Sequence, residues 1–113
     1  MRVKGGTNLA MNRGDSETLT VNYTDINGVK LMSGDTLYLT IKERVSDLVP
    51  VLSYVITEFT EGKAIITIDS ADTRTKEVKT YVYDVRLVKA NGQVFTLVKS
   101  SLFDIDAEVT ILW

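Results

Sequence analysis

The stretch YVYDVRLVKANGQVFTLVKSSLFDIDAEVT, residues 81–110, alternates apolar and polar side chains on both sides of one Asn-Gly turn. A period of two marks a half-buried strand, because successive side chains of an extended backbone point to opposite faces. Tyr81, Tyr83, Val85 and Leu87 therefore share the expected inner face of one strand. Past Ala90-Asn91-Gly92-Gln93, Phe95 and Leu97 lie opposite Val94, Thr96 and Val98. Asn-Gly tolerates positive φ, which suits a two-residue hairpin connection. Two strands around one turn set the class of the chain.

The same period recurs upstream. In ETLTVNYT, Leu19, Val21 and Tyr23 share a face; in TLYLTIKE, Leu37, Leu39 and Ile41 do; in VLSYVI, Leu52, Tyr54 and Ile56 do. AIITID is apolar on both faces at its centre, the pattern of a central strand. β-Branched and aromatic residues dominate these runs. Turn residues separate them: a second Asn-Gly in Asp25-Ile26-Asn27-Gly28, then Ser33-Gly34-Asp35 and Glu61-Gly62-Lys63. Pro50 cannot donate to a ladder and belongs at a strand entrance or sheet edge. Only DSADTRTKE, residues 69–77, breaks the alternation; its leading capping residues predict a single helical turn. The expectation is an all-β fold, an immunoglobulin-like two-sheet sandwich of about seven strands with one short helical turn. Residues 1–113 make one domain, with 1–12 read as a flexible lead and 106–113 as an assembly tail.

Composition narrows the chemistry. A chain of 113 residues with 44% apolar and 25% charged side chains buries one core without metal or disulfide. With no Cys there is no disulfide framework or thiol nucleophile, and with no His the usual general base near neutral pH is missing. A formal charge of −2 creates no field that would gather nucleic acid or anionic lipid. The N-terminal residues lack the apolar core of an export signal, and Leu48–Ile56 is too short and polar to span a bilayer. No Gly-rich phosphate cradle or serine-elbow motif occurs, and no local signal selects a carboxylate pair for glycoside chemistry. The expectation is a noncatalytic protein with no cofactor and no metal.

Four features invite a sharper function. Arg13-Gly14-Asp15 spells an adhesion tripeptide, but a three-letter match occurs readily by chance and a turn before the first long strand is the favoured reading. Asp104, Asp106 and Glu108 alternate, so an extended backbone puts three carboxylates on one face, where they form a solvated acidic surface or hold a hard cation. Asp69 and Asp72 would add ligands only if the fold brought them near. Lys76 and Lys79 beside Tyr81 and Tyr83 hint at base stacking, but interspersed Glu77 and Asp84 favour a core aromatic pair under a mixed-charge surface. Finally, Val109, Ile111 and Trp113 alternate with Thr110 and Leu112 at the C-terminus. That segment either adds a strand to its own domain or meets another chain, and its apolar character favours the second. Val109, Ile111, Leu112 and Trp113 are the candidate interface.

Five stretches together resemble a known family: RGDSETLTV at 13–21, SGDTLYLTIKE at 33–43, GKAIITIDSADT at 62–73, YVYDVRLV at 81–88 and NGQVFTLVKSSLFDIDAEVT at 91–110. They are similar to the small β-sandwich domains in tail and baseplate proteins of phages infecting Gram-positive bacteria, in particular the N-terminal domain of baseplate upper proteins. Residues 44–56 have no clear counterpart there. The resemblance implies a structural phage or prophage protein with no catalytic residues to carry over. Its expected partners are other tail or baseplate subunits, in a homo-oligomer or hetero-assembly. Its expected place is the virion, or the host cytoplasm before assembly. A carbohydrate- or surface-binding sandwich that stacks ligand on Tyr38, Tyr54 or Trp113 is the alternative.

Overall fold

The alternating segments form strands, and their apolar faces meet. The computed structural model describes residues 1–113, which run as β1 (Arg2–Val3), β2 (Leu9–Asn12), β3 (Glu17–Asn22), β4 (Thr36–Lys42), β5 (Leu52–Ile56), β6 (Lys63–Ile68), α1 (Ser70–Thr73), β7 (Lys79–Val88) and β8 (Val94–Asp106). One sheet has six strands in the order β1-β2-β8-β7-β4-β5; the other pairs β3 with β6. The chain is thus a two-sheet, immunoglobulin-like sandwich of eight strands with one short helix.

The core lies where the period predicts. Leu37, Leu39 and Ile41 of β4 and Tyr81, Tyr83, Val85 and Leu87 of β7 are buried, and they pack against Ala64, Ile66 and Ile68 of β6. Each fully buried Leu, Ile or Val of this set contributes about 1.5–3 kcal/mol relative to exposure. Leu52, Tyr54 and Ile56 are half-buried at the rim of the same core. The Tyr83 and Phe103 rings meet edge to face, with centroids 5.9 Å apart. Pro50 sits exposed just ahead of β5, an edge strand, as a residue without an N–H requires.

Four expectations are corrected. The first concerns residues 1–12, which are not a lead. They supply β1 and β2, with Leu9, Ala10 and Met11 fully within the core. β2 runs parallel to the end of β8, placing Leu9 opposite Phe103 and Asn12 opposite Asp106. Their short apolar run, only three residues long, is too brief to show a period.

Second, β6 is not a central strand. Its sole ladder partner is β3, and Ile65 lies 46% exposed on the outer face. Isoleucine there reflects strand propensity rather than two-sided burial.

Third, neither Asn-Gly turn is a two-residue connection. Lys89 N–H donates to Gln93 C=O and Gly92 N–H to Lys89 C=O, both at 2.8 Å, enclosing the three-residue loop Ala90-Asn91-Gly92. Asp25 and Val29 bracket Ile26-Asn27-Gly28 in the same way. Only the glycines take positive φ, so each loop is a turn closed by a left-handed Gly. The two-residue turn is instead Glu61-Gly62, with φ of 51° and 76° and reciprocal bonds between Thr60 and Lys63.

Fourth, the inner face of β8 changes parity. From Tyr83 to Arg86, β8 moves from Ser101 through Val98 to Thr96, inserting one extra residue at each of two steps. These bulges bring Val98 opposite Val85 and Phe95 opposite Leu87, so residues on opposite faces by simple alternation serve the same side.

Helix α1 spans Ser70–Thr73, within the expected segment. Asp69 caps it, and the Asp72 carboxylate accepts back from Asp69 N–H at 3.0 Å. Tyr54 OH donates to the same carboxylate at 2.9 Å, tying the helix to β5. Burial first, then the hydrogen bond to Asp72 and the charge of that carboxylate, pushes the Tyr54 phenol well above its ordinary range, so it remains a donor. At the next corner Tyr81 OH donates to the Glu77 C=O at 2.7 Å, four residues upstream, which is the tyrosine corner of immunoglobulin-like sandwiches.

Candidate interaction site

The four candidate interface residues follow the end of β8, where regular pairing stops. Residues 107–113 carry no strand, so the alternation of Val109, Ile111 and Trp113 does not add one to this domain. Val109 is 100% exposed, Leu112 83%, Ile111 60% and Trp113 47%. Two contacts fix the segment against the turn after β2. Arg13 grips the Glu108 carboxylate bidentately, Nη2 to Oε1 at 2.8 Å and Nε to Oε2 at 3.1 Å. That hydrogen bonding, offset by partial burial, draws the Glu108 carboxyl below its usual range. Beyond it the Trp113 indole lies directly over Gly14, whose φ of +82° leaves the space a side chain would take.

The same contacts decide the Arg13-Gly14-Asp15 tripeptide. Its guanidinium is committed to Glu108, Gly14 N–H donates to Thr73 Oγ1 at 2.8 Å, and Asp15 alone is exposed. The turn reading describes it; the motif does not project a free cation beside a free carboxylate.

The alternating carboxylates are each taken by a different cation. Lys4 Nζ meets Asp104 at 2.8 Å, Arg2 pairs with Asp106, and Arg13 holds Glu108. Thr80 Oγ1 also donates to Asp104 at 2.8 Å, and these two bonds lower its pKa. A residue of β1, the residue after it and the one after β2 thus neutralise the ladder. No three acidic side chains converge in a geometry that would hold a metal ion. Asp69 and Asp72 are engaged in the cap of α1.

Among the proposed stacking residues, Tyr54 is half-buried with its hydroxyl on Asp72, and Trp113 lies on Gly14. Tyr38 is 39% exposed on the outer face of the six-stranded sheet, beside a trough of about 380 Å³ that also includes Thr40, Asp84 and Arg86. Tyr81 and Tyr83 are core residues and offer no ring for a base. Asp35 carries more structure than the sequence discloses. It is 1% exposed and joins two turns, accepting from Lys89 Nζ at 2.8 Å and from the N–H groups of Met32 and Ala90 at 3.1 Å. A Gly-Asp turn pair announces a bend, and nothing local announces a partner 54 positions away.

A groove of about 330 Å³ opens between the sheets beside β3. Leu19, Thr20, Val21 and Asn22 line it from β3, Gly6 and Thr7 from the approach to β2, Leu9 from its first position, and Tyr83, Val85 and Val98 from the core. No backbone hydrogen bond joins residues 17–22 to anything but β6, which leaves the other edge of β3 unpaired. The sequence discloses neither the groove nor the free edge, because both depend on which strands become neighbours.

No helix is long and apolar enough to cross a membrane. No protein-family model and no curated protein sequence matches the chain. Among solved structures it is similar to the extracellular domain of mouse leukocyte-associated immunoglobulin-like receptor 1, crystallised as a strand-swapped dimer, with a TM-score of 0.50 and 12% identity over 100% of this chain and 93% of that one. At that identity the likeness shows the immunoglobulin-like fold alone.

Proposed function

We propose that the chain is a noncatalytic structural subunit of a phage or prophage tail or baseplate, working through protein–protein contacts in a homo-oligomer or hetero-assembly. The resemblance of five stretches between residues 13 and 110 to baseplate domains motivates the phage assignment. The observation that carries the contact reading is the C-terminal segment: four apolar side chains within five consecutive residues, from 47% to 100% exposed and outside any strand. Burying such side chains against a neighbour removes apolar surface at about 25 cal/mol per Å², less the cost of association. The noncatalytic reading draws support from the acidic ladder, whose carboxylates are held in ion pairs rather than poised as an acid and a base.

The test is biochemical. Tail particles from cells carrying the gene are purified and analysed by mass spectrometry, and the tagged chain is used to capture tail proteins. Stoichiometric presence in particles supports the proposal; absence from particles, with no tail protein captured, removes it. One feature favours a second reading, a carbohydrate-binding module: the exposed Tyr38 ring beside Asp84 and Arg86, neither of which has an ion-pair partner. Calorimetric titration with cell-wall saccharides, abolished by Tyr38→Ala, is the result that would replace the structural reading.

A further inference from the structure

We propose that the groove beside β3 receives residues Val109–Trp113 of a second copy of the chain as an added strand, an inference that rests on the assembly reading above. Two unsatisfied features match. On the receiving side, β3 has one edge without a backbone partner, and such an edge templates another strand. Beside that edge the groove reaches core side chains: Leu9, Leu19, Val21, Tyr83, Val85 and Val98. An added strand needs that combination, main-chain partners along one side and pockets for every second side chain.

On the donating side, Val109, Ile111 and Trp113 alternate along a β-prone segment that forms no strand in its own domain. Five residues extend about 17 Å at 3.4 Å per residue, close to the length of β3. Charge agrees as well. No residue lining the groove is charged, and neither is any side chain from 109 to 113. The troughs on the outer face of the large sheet, by contrast, contain Lys42, Asp84 and Arg86. A strand without charged side chains is matched to the groove and mismatched to those troughs. In every copy Glu108 holds Arg13 and Trp113 rests on Gly14, so donation keeps the first contact and exchanges the second for the open groove of a neighbouring copy. A tail-into-groove contact is head-to-tail, so repetition yields a ring or a filament.

The absence of cysteine makes the test clean. In an added strand Thr110 shares the solvent side with Thr18, Thr20 and Asn22, at a cross-strand spacing that a disulfide spans. Full-length Thr110→Cys is mixed with Thr18→Cys, Thr20→Cys or Asn22→Cys under mild oxidation, with Ser53→Cys on β5 as control. The proposal expects a disulfide-linked pair with one or two of the β3 variants, at least about tenfold over the control. It also expects association that rises with concentration, shifts Trp113 emission to the blue, and disappears in a chain ending at Glu108. Equal cross-linking to Ser53→Cys, association that survives the truncation, a disulfide that stays within the monomer when Thr110→Cys and Thr20→Cys are placed in one chain, or a monomer at about 1 mM each overturns it. These results leave the tail-subunit reading standing if the chain is still found in particles, so the two failures are distinguishable.

Discussion

The Trp113 indole occupies the volume that a side chain at Gly14 would enter: a Cβ there would lie 1.9 Å from the ring. Gly14→Ala therefore expels the indole and also strains a backbone at φ +82°. The expected result is a red shift and stronger acrylamide quenching of this single tryptophan, with about 1–2 kcal/mol of destabilisation from the left-handed conformation. Unchanged emission would show that the ring does not sit on Gly14 in solution.

Asp35 gives the chain a defined acid sensitivity. Burial pushes its carboxyl up, but the Lys89 ammonium and the amides of Met32 and Ala90 outweigh that and leave the folded pKa below the ordinary aspartate value. As pH falls the unfolded chain takes up this proton first, at about pH 3.9. The stabilisation is thus complete above that range and is lost as pH drops through the folded pKa. Denaturant titrations of the native chain and Asp35→Asn from pH 7 to pH 2 should show a gap at neutrality, about 1–3 kcal/mol, that narrows in acid. A gap independent of pH would contradict the charge pairing.

Two core substitutions separate packing from hydrogen bonding. Leu87 is 0% exposed, and Leu87→Ala should cost about 2–5 kcal/mol. Tyr81→Phe keeps the ring and removes only the bond to the Glu77 carbonyl, with an expected cost of about 0.5–1.5 kcal/mol. Thermal and urea unfolding measure both. A loss below about 0.5 kcal/mol for Leu87→Ala would mean the inner face of β7 is misassigned.

Calcium should leave stability unchanged. Binding at the acidic ladder competes with the Lys4, Arg2 and Arg13 pairs on its three carboxylates. Melting curves with and without millimolar calcium should superimpose. A rise of several degrees, lost in Asp104→Asn with Asp106→Asn, would establish a metal site.

The sequence discloses most where one face of a strand is buried along its whole length. Leu37-Leu39-Ile41 and Tyr81-Tyr83-Val85-Leu87 carry their period without interruption, and both faces are as expected. In β8 one extra residue after Thr96 and another after Val98 reverse the parity between them and restore it beyond, and no residue type there marks an insertion. β2 is four residues long and pairs in parallel with a strand from the far end of the chain, so its place rests on tertiary contacts alone. At the candidate site, apolar composition identified the exposed segment, while its anchor on Arg13 spans 95 positions and has no local signal.

The parallel pairing of β2 with β8 also sets how the domain bears load. Leu9, at the start of β2, lies opposite Phe103, while Asp106, at the end of β8, lies opposite Asn12. Tension applied through Leu9 and Asp106 drags these strands past each other lengthwise. All four register pairs then resist together, whereas the antiparallel β1–β2 hairpin opens one pair at a time. Loaded through those two positions, the domain holds in shear at this patch. Single-molecule extension should accordingly show one high rupture force, lowered when Met11→Pro removes a donor from the short strand; an unaltered force would place the resistance elsewhere.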